Sequence, residues 1–249
     1  MLLDQETENE IVFELCQHLG RSILPVAGSE RPGAPAGTVG TAFFYSELVG
    51  ATDDGEVAHE WLLTADALTD RPYGEILLRP SVTEPAEGAE EPIELPGFAD
   101  HWLRLPELGV AAMPTGGLHG HADDRGWRWR TQQVTEAVAA PADAVARVGA
   151  APGSAFVLAL GVGDDGSRPL EAVVERVARD DVDGVRVTVE LPVGYVGAPV
   201  FTVESGAADE PVLRCLGLLL PARDGGHPVA TFDRIRAALA EALEGGAPS

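Results

Sequence analysis

Short apolar segments, each bounded by Gly, Pro or Asp, recur along almost the whole chain. They are residues 22–26, 41–45, 60–64, 74–79 and 108–114 in the first half and residues 155–161, 171–177, 184–189, 198–203 and 212–220 in the second. Segments of this length that are rich in aliphatic and aromatic residues predict β-strands. Two successive sets of them predict a mainly β protein built from two antiparallel, six-stranded-type β-barrels.

Helices are predicted at both ends of this β region. Thr7 and Glu10 have the spacing of a capping box, and apolar residues follow at helical intervals as far as Gly20. This pattern predicts a short N-terminal helix. Near the other end, Thr231 is placed to cap a second helix. Its apolar stripe consists of Phe232, Ile235, Leu239 and Leu243.

The remaining long segments predict connections between these elements. Residues 82–96 are acidic and contain prolines, which predicts an exposed loop. Residues 115–133 are polar and Gly-rich, which predicts a connection between two halves of the chain. The sequence therefore predicts a single domain over residues 1–249. Its parts are a first barrel at 22–125, a second barrel at 134–225 and a C-terminal helix at 231–244.

The chain is strongly acidic. It contains 40 Asp and Glu residues against 17 Arg and no Lys, which gives a formal net charge of −23. Nucleic acids and anionic membranes bind clustered cations, so this charge argues against both and favours a protein or peptide partner. The acidic start does not resemble a signal peptide, and no apolar run has the length needed to span a bilayer. We therefore expect a cytoplasmic protein.

Residues 194–201, Gly-Tyr-Val-Gly-Ala-Pro-Val-Phe, predict a tight glycine-containing loop that leads directly into a strand. Three other segments combine an apolar strand with a turn-forming residue in a similar way. They are residues 40–44 (Gly-Thr-Ala-Phe-Phe), 62–68 (Leu-Leu-Thr-Ala-Asp-Ala-Leu) and 109–114 (Gly-Val-Ala-Ala-Met-Pro). The order of the four segments, with a helix after the last of them, is more specific than any one of them.

In this order the four segments resemble the landmarks of the trypsin-like (chymotrypsin-fold) serine peptidases, closest to the bacterial glutamyl-endopeptidase and heat-shock-protease branches. The first resembles the family's G-[ST]-G-F strand and the second its L-[LV]-T-A-A-H-[VC] motif. The third resembles D-[VIL]-A-[VL]-[LIM]-P and the fourth G-x-S-G-[GS]-P-V-F. The resemblance covers residues 22–243 and implies the double-barrel fold of that family.

The same resemblance implies that the catalytic side chains are missing. In the family a Ser attacks the scissile carbonyl, a His accepts its proton and an Asp orients the His. The His position falls on Ala67, the Asp position on Gly109 and the Ser position on Val196. Loss of the triad costs on the order of 10⁶ in turnover. Neighbours do not replace it, because Asp66 is expected to point elsewhere and the phenol of Tyr195 is a poor nucleophile without a nearby base.

The resemblance also implies two ways in which a peptide could still bind. The family's oxyanion hole is formed by backbone N–H groups, which fall here on Gly194 and Val196, on either side of Tyr195. The family also accepts peptides as an added strand at an edge of the second barrel, and that edge corresponds to Leu219 and Leu220. Alternatively, the side chain of Val196 fills the former cleft and nothing binds there.

Residues 119–124 suggest a different chemistry. His119, His121 and Asp123 match H-x-H-x-D, the first ligand set of metallo-β-lactamase-type hydrolases, and these residue types suit zinc. The motif's last His is replaced by Asp124, and only His227 follows downstream. A solvated Gly-rich loop is the simpler explanation of the segment, and we favour it. The sequence therefore predicts no cofactor, with zinc at this segment as an alternative.

The sequence as a whole predicts a pseudoprotease, a catalytically inactive trypsin-like serine peptidase homologue. Its expected role is that of a protein- or peptide-binding regulatory or scaffold module. The first alternative is a divergent hydrolase, a peptidase that uses unrecognised residues or a metal at His119 and His121. The second alternative is a purely structural interaction domain whose binding face is unrelated to the former cleft.

Overall fold

The structure, a computed structural model, describes residues 9–10, 13–14, 16–17, 19–52, 55–148, 156–161, 171–179, 184–205 and 211–245. The described residues between 9 and 19 are helical, as the sequence predicts, and the predicted capping residue Thr7 lies outside the described residues. No helix within the described ranges is long and apolar enough to cross a bilayer.

The first lobe is built around one sheet of eight strands. They are β1 (Ile23–Ser29), β2 (Thr38–Thr52), β3 (Gly55–Ala65), β4 (Tyr73–Ile76), β6 (Ile93–Pro96), β7 (Leu103–Leu105), β8 (Val110–Pro114) and β10 (Val134–Thr135). Seven of them pair antiparallel in the order β6-β4-β1-β2-β3-β8-β7, and β10 pairs with β2 in parallel. The sheet thus includes residues 134–135, which the sequence assigns to the second barrel.

Residues 82–96 were predicted as an exposed loop, and this prediction is wrong. The segment contains β5 (Thr83–Glu84) and β6, and it buries Val82, Ala89 and Ile93. These three side chains belong to a core cluster of the first lobe that also includes Phe44. The acidic residues between them hide this apolar spacing, because the segment mixes short strands with single turns of 3-10 helix.

Residues 115–133 do not form an irregular connection. They contain the helix α1 (Gly116–Arg125) and the short strand β9 (Arg128–Trp129), which pairs with β5 in a separate two-stranded sheet. Glycine is a poor helix former, so composition argues against a helix here. Burial of Leu118 and Ala122 in the first-lobe core overrides that preference.

The second lobe is a closed, antiparallel six-stranded barrel. Its strands are β11 (Phe156–Gly161), β12 (Glu171–Arg179), β13 (Val185–Val187), β14 (Pro199–Ser205), β15 (Pro211–Leu219) and β16 (His227–Thr231). They close in the order β11-β12-β13-β16-β15-β14. The last strand lies beyond residue 225, the predicted end of this barrel.

Two helices complete the described chain, α2 (Ala142–Arg147) between the lobes and α3 (Phe232–Gly245) after the last strand. The sequence did not predict α2. In α3 the predicted stripe is buried at Phe232, Ile235 and Leu239, whereas Leu243 is 39% exposed near the end of the helix.

One apolar cluster joins the two lobes and the C-terminal helix. It contains Phe43 and Leu63 from the first lobe, Phe201 and Leu218 from the second, and Phe232 from α3. Separate clusters fill the outer part of each lobe. The predicted fold class, mainly β with two antiparallel lobes and a C-terminal helix, is confirmed, although the main sheet of the first lobe has eight strands.

Candidate functional site

The loop that precedes β14 is held together by its own backbone. Residues Val193–Tyr195 form a turn of 3-10 helix. The Val196 N–H donates to the carbonyl of Val193 at 3.0 Å, and the Ala198 N–H donates to the carbonyl of Tyr195 at 2.9 Å. The Val196 N–H was predicted to face a bound carbonyl as part of an oxyanion hole. In this conformation it is already bonded inside the loop.

Thr41, on β2 in the first lobe, fastens the loop to that strand. The Thr41 N–H donates to the carbonyl of Val196 at 2.8 Å, and the Thr41 hydroxyl donates to the carbonyl of Gly194 at 2.6 Å. The Thr64 hydroxyl, on the neighbouring strand β3, donates to the carbonyl of Thr41 at 2.7 Å and so links two strands of the first lobe. Both threonines are fully buried. Both hydroxyls donate to backbone carbonyls, and of the two only the Thr41 hydroxyl bridges the lobes.

Gly197 allows this close contact. Its φ is +86°, and a Cβ built on it would lie 2.1 Å from the Thr41 carbonyl oxygen and 2.5 Å from the Thr64 hydroxyl oxygen. The left-handed backbone and the lack of space both require glycine. Its N–H also donates to the carbonyl of Leu219 at 2.8 Å. The glycine of the motif is thus needed for the tight join of loop, β2 and β15.

The side chains of Tyr195 and Val196 point into the protein, whereas Val193 at the start of the turn is 59% exposed. Val196 is 7% exposed and packs in the cluster that joins the lobes, with Leu68 and Phe201 among its other members. Tyr195 is fully buried in the core of the second lobe. Val196, which the resemblance assigns to the nucleophile position, is therefore a core residue. This arrangement favours the alternative in which it fills the former cleft.

The other two triad positions lie at the same seam. Ala67 is exposed in the 3-10 turn Asp66–Leu68 at the end of β3. The Asp66 N–H donates to the carbonyl of Gly109 at 2.9 Å, so that this turn contacts the second position directly. The turn also reaches the loop, because a Cβ on Gly40 would meet both the Leu68 side chain, at 2.3 Å, and the Val196 carbonyl, at 2.8 Å.

Apolar and paired groups surround Gly109 and Asp66. A Cβ on Gly109 would lie 3.4 Å from a methyl carbon of Leu220, so that a leucine side chain packs against this position. The Asp66 carboxylate receives a hydrogen bond from the Arg104 guanidinium at 2.5 Å. It is therefore held in an ion pair with Arg104 at the surface.

The two cysteines are free thiols. Cys215 is buried, and burial raises the pKa of its thiol far above the ordinary value. Cys16 is partly exposed, and burial raises the pKa of its thiol as well. A reactive cysteine needs a lowered pKa, because the thiolate is the nucleophile. Neither thiol has the environment of a nucleophile.

The expected sheet edge at Leu219 and Leu220 is not an edge, and this prediction is corrected. The strand β15 pairs with β14 on one side and with β16 on the other, because the barrel is closed. Leu219 is fully buried, and the Leu220 N–H donates to the carbonyl of Pro228 at 2.9 Å. An added peptide strand finds no free backbone groups there.

The zinc alternative also meets a geometric obstacle. His119, His121 and Asp123 lie in α1, whereas a loop was predicted. Residues two apart in a helix point to nearly opposite sides, so His119 and His121 do not converge. Nε2 of His119 lies 3.0 Å from a carboxylate oxygen of Glu60. The His121 ring packs against the Trp127 ring, with 6.3 Å between the ring centroids. Among the described residues, no three His, Cys, Asp or Glu side chains form a metal-binding group.

The Glu60 carboxylate is the hub of the polar contacts around His119. Burial by itself raises the pKa of Glu60, but hydrogen bonds from Gln133 and His119, together with the charge of His119, hold that pKa below its ordinary value of 4.5. A carboxylate whose folded pKa is lowered stabilises the fold above its unfolded pKa. That contribution is lost as the pH falls through the folded pKa.

We therefore expect Glu60→Gln to destabilise the protein at neutral pH. Below pH 4.5 the free energy of unfolding of this variant should also fall less steeply with falling pH than that of the wild type. Urea unfolding at several pH values between about 3 and about 7 measures this effect. Glu94→Gln, at an exposed position, is the matched control and should follow the wild type. If Glu60→Gln runs parallel to the wild type at every pH, the contacts of Glu60 do not contribute to stability.

Thr41→Val should destabilise the protein by about 1–2 kcal/mol, because the buried carbonyl of Gly194 loses its hydroxyl donor. Thr38→Val, in the same strand, is the matched control. The Thr38 hydroxyl oxygen is buried and has no hydrogen-bond partner among the described residues, so its removal should be neutral or stabilising. Equal urea midpoints for the two variants would show that the threonine does not fasten the loop.

Comparison with known proteins places the fold. The chain is similar to the serine endoprotease from Yersinia pestis, at 10% identity and a TM-score of 0.50, over 94% of this chain and 65% of that chain. It is also similar to Deg5, at 11% identity and a TM-score of 0.56, over 98% of each chain. No protein-family model matches the chain, and neither does a curated protein sequence. The chain thus spans about two thirds of the Yersinia pestis protease and nearly all of Deg5.

At such low identity these similarities establish the fold alone. The two curled antiparallel lobes and the C-terminal helix are those of the chymotrypsin-like fold. The seam at Val196 lies between the two lobes. The sequence identified the segments of this seam but missed the threonine contacts that close it. The only signal for them was a Thr beside each of two motif strands.

Proposed function

We propose that this protein is a catalytically inactive homologue of the trypsin-like serine peptidases that acts by binding a protein or peptide. One observation carries the proposal: the residue at the nucleophile position is Val196, and its side chain is packed in the core that joins the lobes. A valine has no group that can attack a carbonyl or be deprotonated.

Three contacts around the seam support the same reading. The Val196 N–H is bonded to the Val193 carbonyl, which removes one of the two donors of an oxyanion hole. The Asp66 carboxylate is paired with Arg104 rather than placed beside a base or nucleophile. The Leu220 side chain packs against Gly109. Each contact replaces an element of the catalytic machinery with packing or structural hydrogen bonding.

The same contacts favour a binding face outside the former cleft. The loop is closed by its own turn, and β15 is paired on both sides, so neither of the family's two peptide-binding modes finds free backbone groups here. This is the second alternative from the sequence, an interaction domain whose face is unrelated to the cleft. The divergent hydrolase has no comparable support, because the two histidines of α1 do not converge.

The test of inactivity is peptide hydrolysis by the purified chain. We expect no release of fluorophore from a pooled library of quenched peptides above the buffer rate, with or without added zinc. Tyr195→Phe and His121→Ala are the informative variants. Turnover by the wild type that either variant abolishes would overturn the proposal.

The binding part is tested by affinity capture followed by reconstitution of a stoichiometric complex from purified components. If none of the captured proteins forms such a complex, the proposed binding function is contradicted.

A further inference from the structure

The strands β2 and β3 extend beyond the rest of the first-lobe sheet as a two-stranded ribbon, residues 47–52 and 55–60. Their mutual pairing continues to Thr52 and Gly55. On the outer side of β2, however, β10 pairs only with Tyr45 and Ser46. On the outer side of β3, β8 pairs only with residues 61–65. Among the described strands none pairs with either outer edge of the ribbon.

The direction of the free backbone groups follows from two hydrogen bonds at the base of the ribbon. The Ser46 carbonyl accepts from the Glu136 N–H, and the Glu60 carbonyl accepts from the Thr115 N–H, each at 3.2 Å. Ser46 and Glu60 are cross-strand partners, so both face outward, on opposite edges. Backbone groups alternate sides along a strand. The next outward-facing pair is therefore Leu48 and Ala58, which are also cross-strand partners.

The ribbon exposes three large apolar side chains. Leu48 and Val49 are each 48% exposed and Val57 is 41% exposed. Leu48 also lines a cavity of about 490 Å³ next to the segment that follows β10, with Ser46, Ala58, Thr135, Glu136 and Ala137. Contiguous exposed apolar surface of this kind marks interaction sites. A free edge that continues an existing sheet is suited to an added strand.

The charge of the ribbon indicates what kind of strand fits. Residues 47–60 contain Glu47, two Asp and two further Glu, and no Arg or Lys. The Arg236 guanidinium, which reaches the base of the ribbon, is already paired with Glu47 at 3.2 Å and with Glu136. A second copy of the chain would place like charges opposite one another, which destabilises strand pairing. A basic segment would instead gain opposite-charge pairs along the edge.

We propose that the outer edge of β2 at residues 47–52 takes up an extended, basic and apolar segment of a partner protein as an additional β-strand. The partner strand continues the sheet where β10 ends, and its apolar residues cover Leu48 and the adjoining cavity. Its basic residues pair with the carboxylates of the ribbon. This inference rests on the proposed binding function and adds to it the surface and the class of partner.

The test uses the full chain and a capped peptide of about eight alternating Arg and Val residues, long enough to span the edge. Calorimetric titration should detect binding of this peptide and none of a Glu–Val peptide of equal length. Leu48→Pro removes an outward N–H without removing a β2–β3 hydrogen bond, and should weaken binding by about tenfold or more. Glu94→Gln, at an exposed position outside the ribbon, is the control and should alter binding by less than about twofold.

Two results would overturn the proposal: equal binding to Leu48→Pro and Glu94→Gln, or equal binding of both peptides. If the wild type is a dimer and Leu48→Pro is a monomer, the edge pairs with a second copy of the chain and the proposal is overturned. If either variant fails to fold, amide exchange of the wild type decides. The peptide should then protect the Leu48 amide and leave the Ala58 amide unchanged, and the reverse would refute it.

The outcome is distinguishable from that of the proposed function. If the chain hydrolyses peptides and its ribbon also binds the Arg–Val peptide, the proposed inactivity is refuted and the ribbon site is supported. If the chain is inactive and forms a stoichiometric complex through another surface, but does not bind the Arg–Val peptide, only the ribbon site is refuted.

Discussion

Replacing Gly197 by alanine is expected to destabilise the protein by about 2–5 kcal/mol. A left-handed backbone with φ of +86° costs an alanine about 1–2 kcal/mol. The new methyl group would also sit 2.1 Å from the Thr41 carbonyl oxygen, and relief of that contact must separate the loop from β2. Overpacking of a well-packed core costs about 1–3 kcal/mol more. The shift of the urea midpoint at constant m-value measures the sum.

Gly225→Ala separates the two contributions. Gly225 has nearly the same φ, +77°, but a Cβ built on it has no atom within 4 Å. This variant should therefore lose only the conformational part, about 1–2 kcal/mol. The loss of unfolding free energy in Gly197→Ala beyond that in Gly225→Ala then measures the steric cost of a methyl group between the loop and β2. If the two variants are equally stable, the loop can move away from β2 at no cost and the seam is not a rigid join.

Replacing Phe232 by alanine is expected to cost about 3–5 kcal/mol. Phe232 is the first residue of α3 and is fully buried. Its ring lies 6.2 Å from that of Phe43 in an edge-on arrangement and 4.9 Å from that of Tyr45. Removal of the ring leaves a cavity in the cluster that joins both lobes to the helix. Thermal unfolding should show a loss of about 10 °C.

Leu243→Ala is the matched control in the same helix. Leu243 continues the apolar stripe by sequence, but it is 39% exposed, so its removal should cost less than about 1 kcal/mol. Amide exchange separates two possible modes of loss in Phe232→Ala. Release of the helix alone raises exchange in α3, whereas loss of the shared core raises it in β2 and β15 as well. A change of less than about 1 kcal/mol in Phe232→Ala would show that α3 is not part of the core.

Much of the fold could be predicted from the sequence because it depends on local patterns. Short strands bounded by Gly, Pro and Asp predict the two β lobes, and the stripe of Phe232, Ile235 and Leu239 predicts the C-terminal helix. The exceptions are segments in which tertiary burial overrides composition. The Gly-rich residues of α1 are poor helix formers, yet the helix forms because Leu118 and Ala122 are buried in the first-lobe core.

The candidate site was predictable in part for the same reason. The motif order assigned Ala67, Gly109 and Val196 to one site, and the structure brings the corresponding segments to one seam through contacts of Asp66, Leu68 and Gly40. The sequence left open whether Val196 lines an open cleft or fills it. Local pattern cannot answer that question, because the burial of a side chain depends on residues distant in the chain.

The edges of the sheets show the same limit. The sequence placed a free edge at Leu219 and Leu220, but closure of the barrel by β16 pairs that strand on both sides. It gave no warning of a free edge at Leu48, since it predicts a strand only at residues 41–45, whereas β2 extends to Thr52. Strand pairing is a long-range property, so an alternating sequence predicts a strand without predicting its partners.

By itself, then, the sequence determined the class of fold that the chain adopts and the chemistry that the side chain of Val196 cannot perform. Val196 cannot be a nucleophile in any structure, and the alternation of short strands with turns leaves few architectures. Only the tertiary structure decided what became of the motif. Its Val196 N–H is bonded within the turn, its carbonyls are fastened by Thr41, and Gly197 fits against β2 with no space for a side chain. The last two outcomes depend on residues more than 100 positions apart, which packing brings into contact.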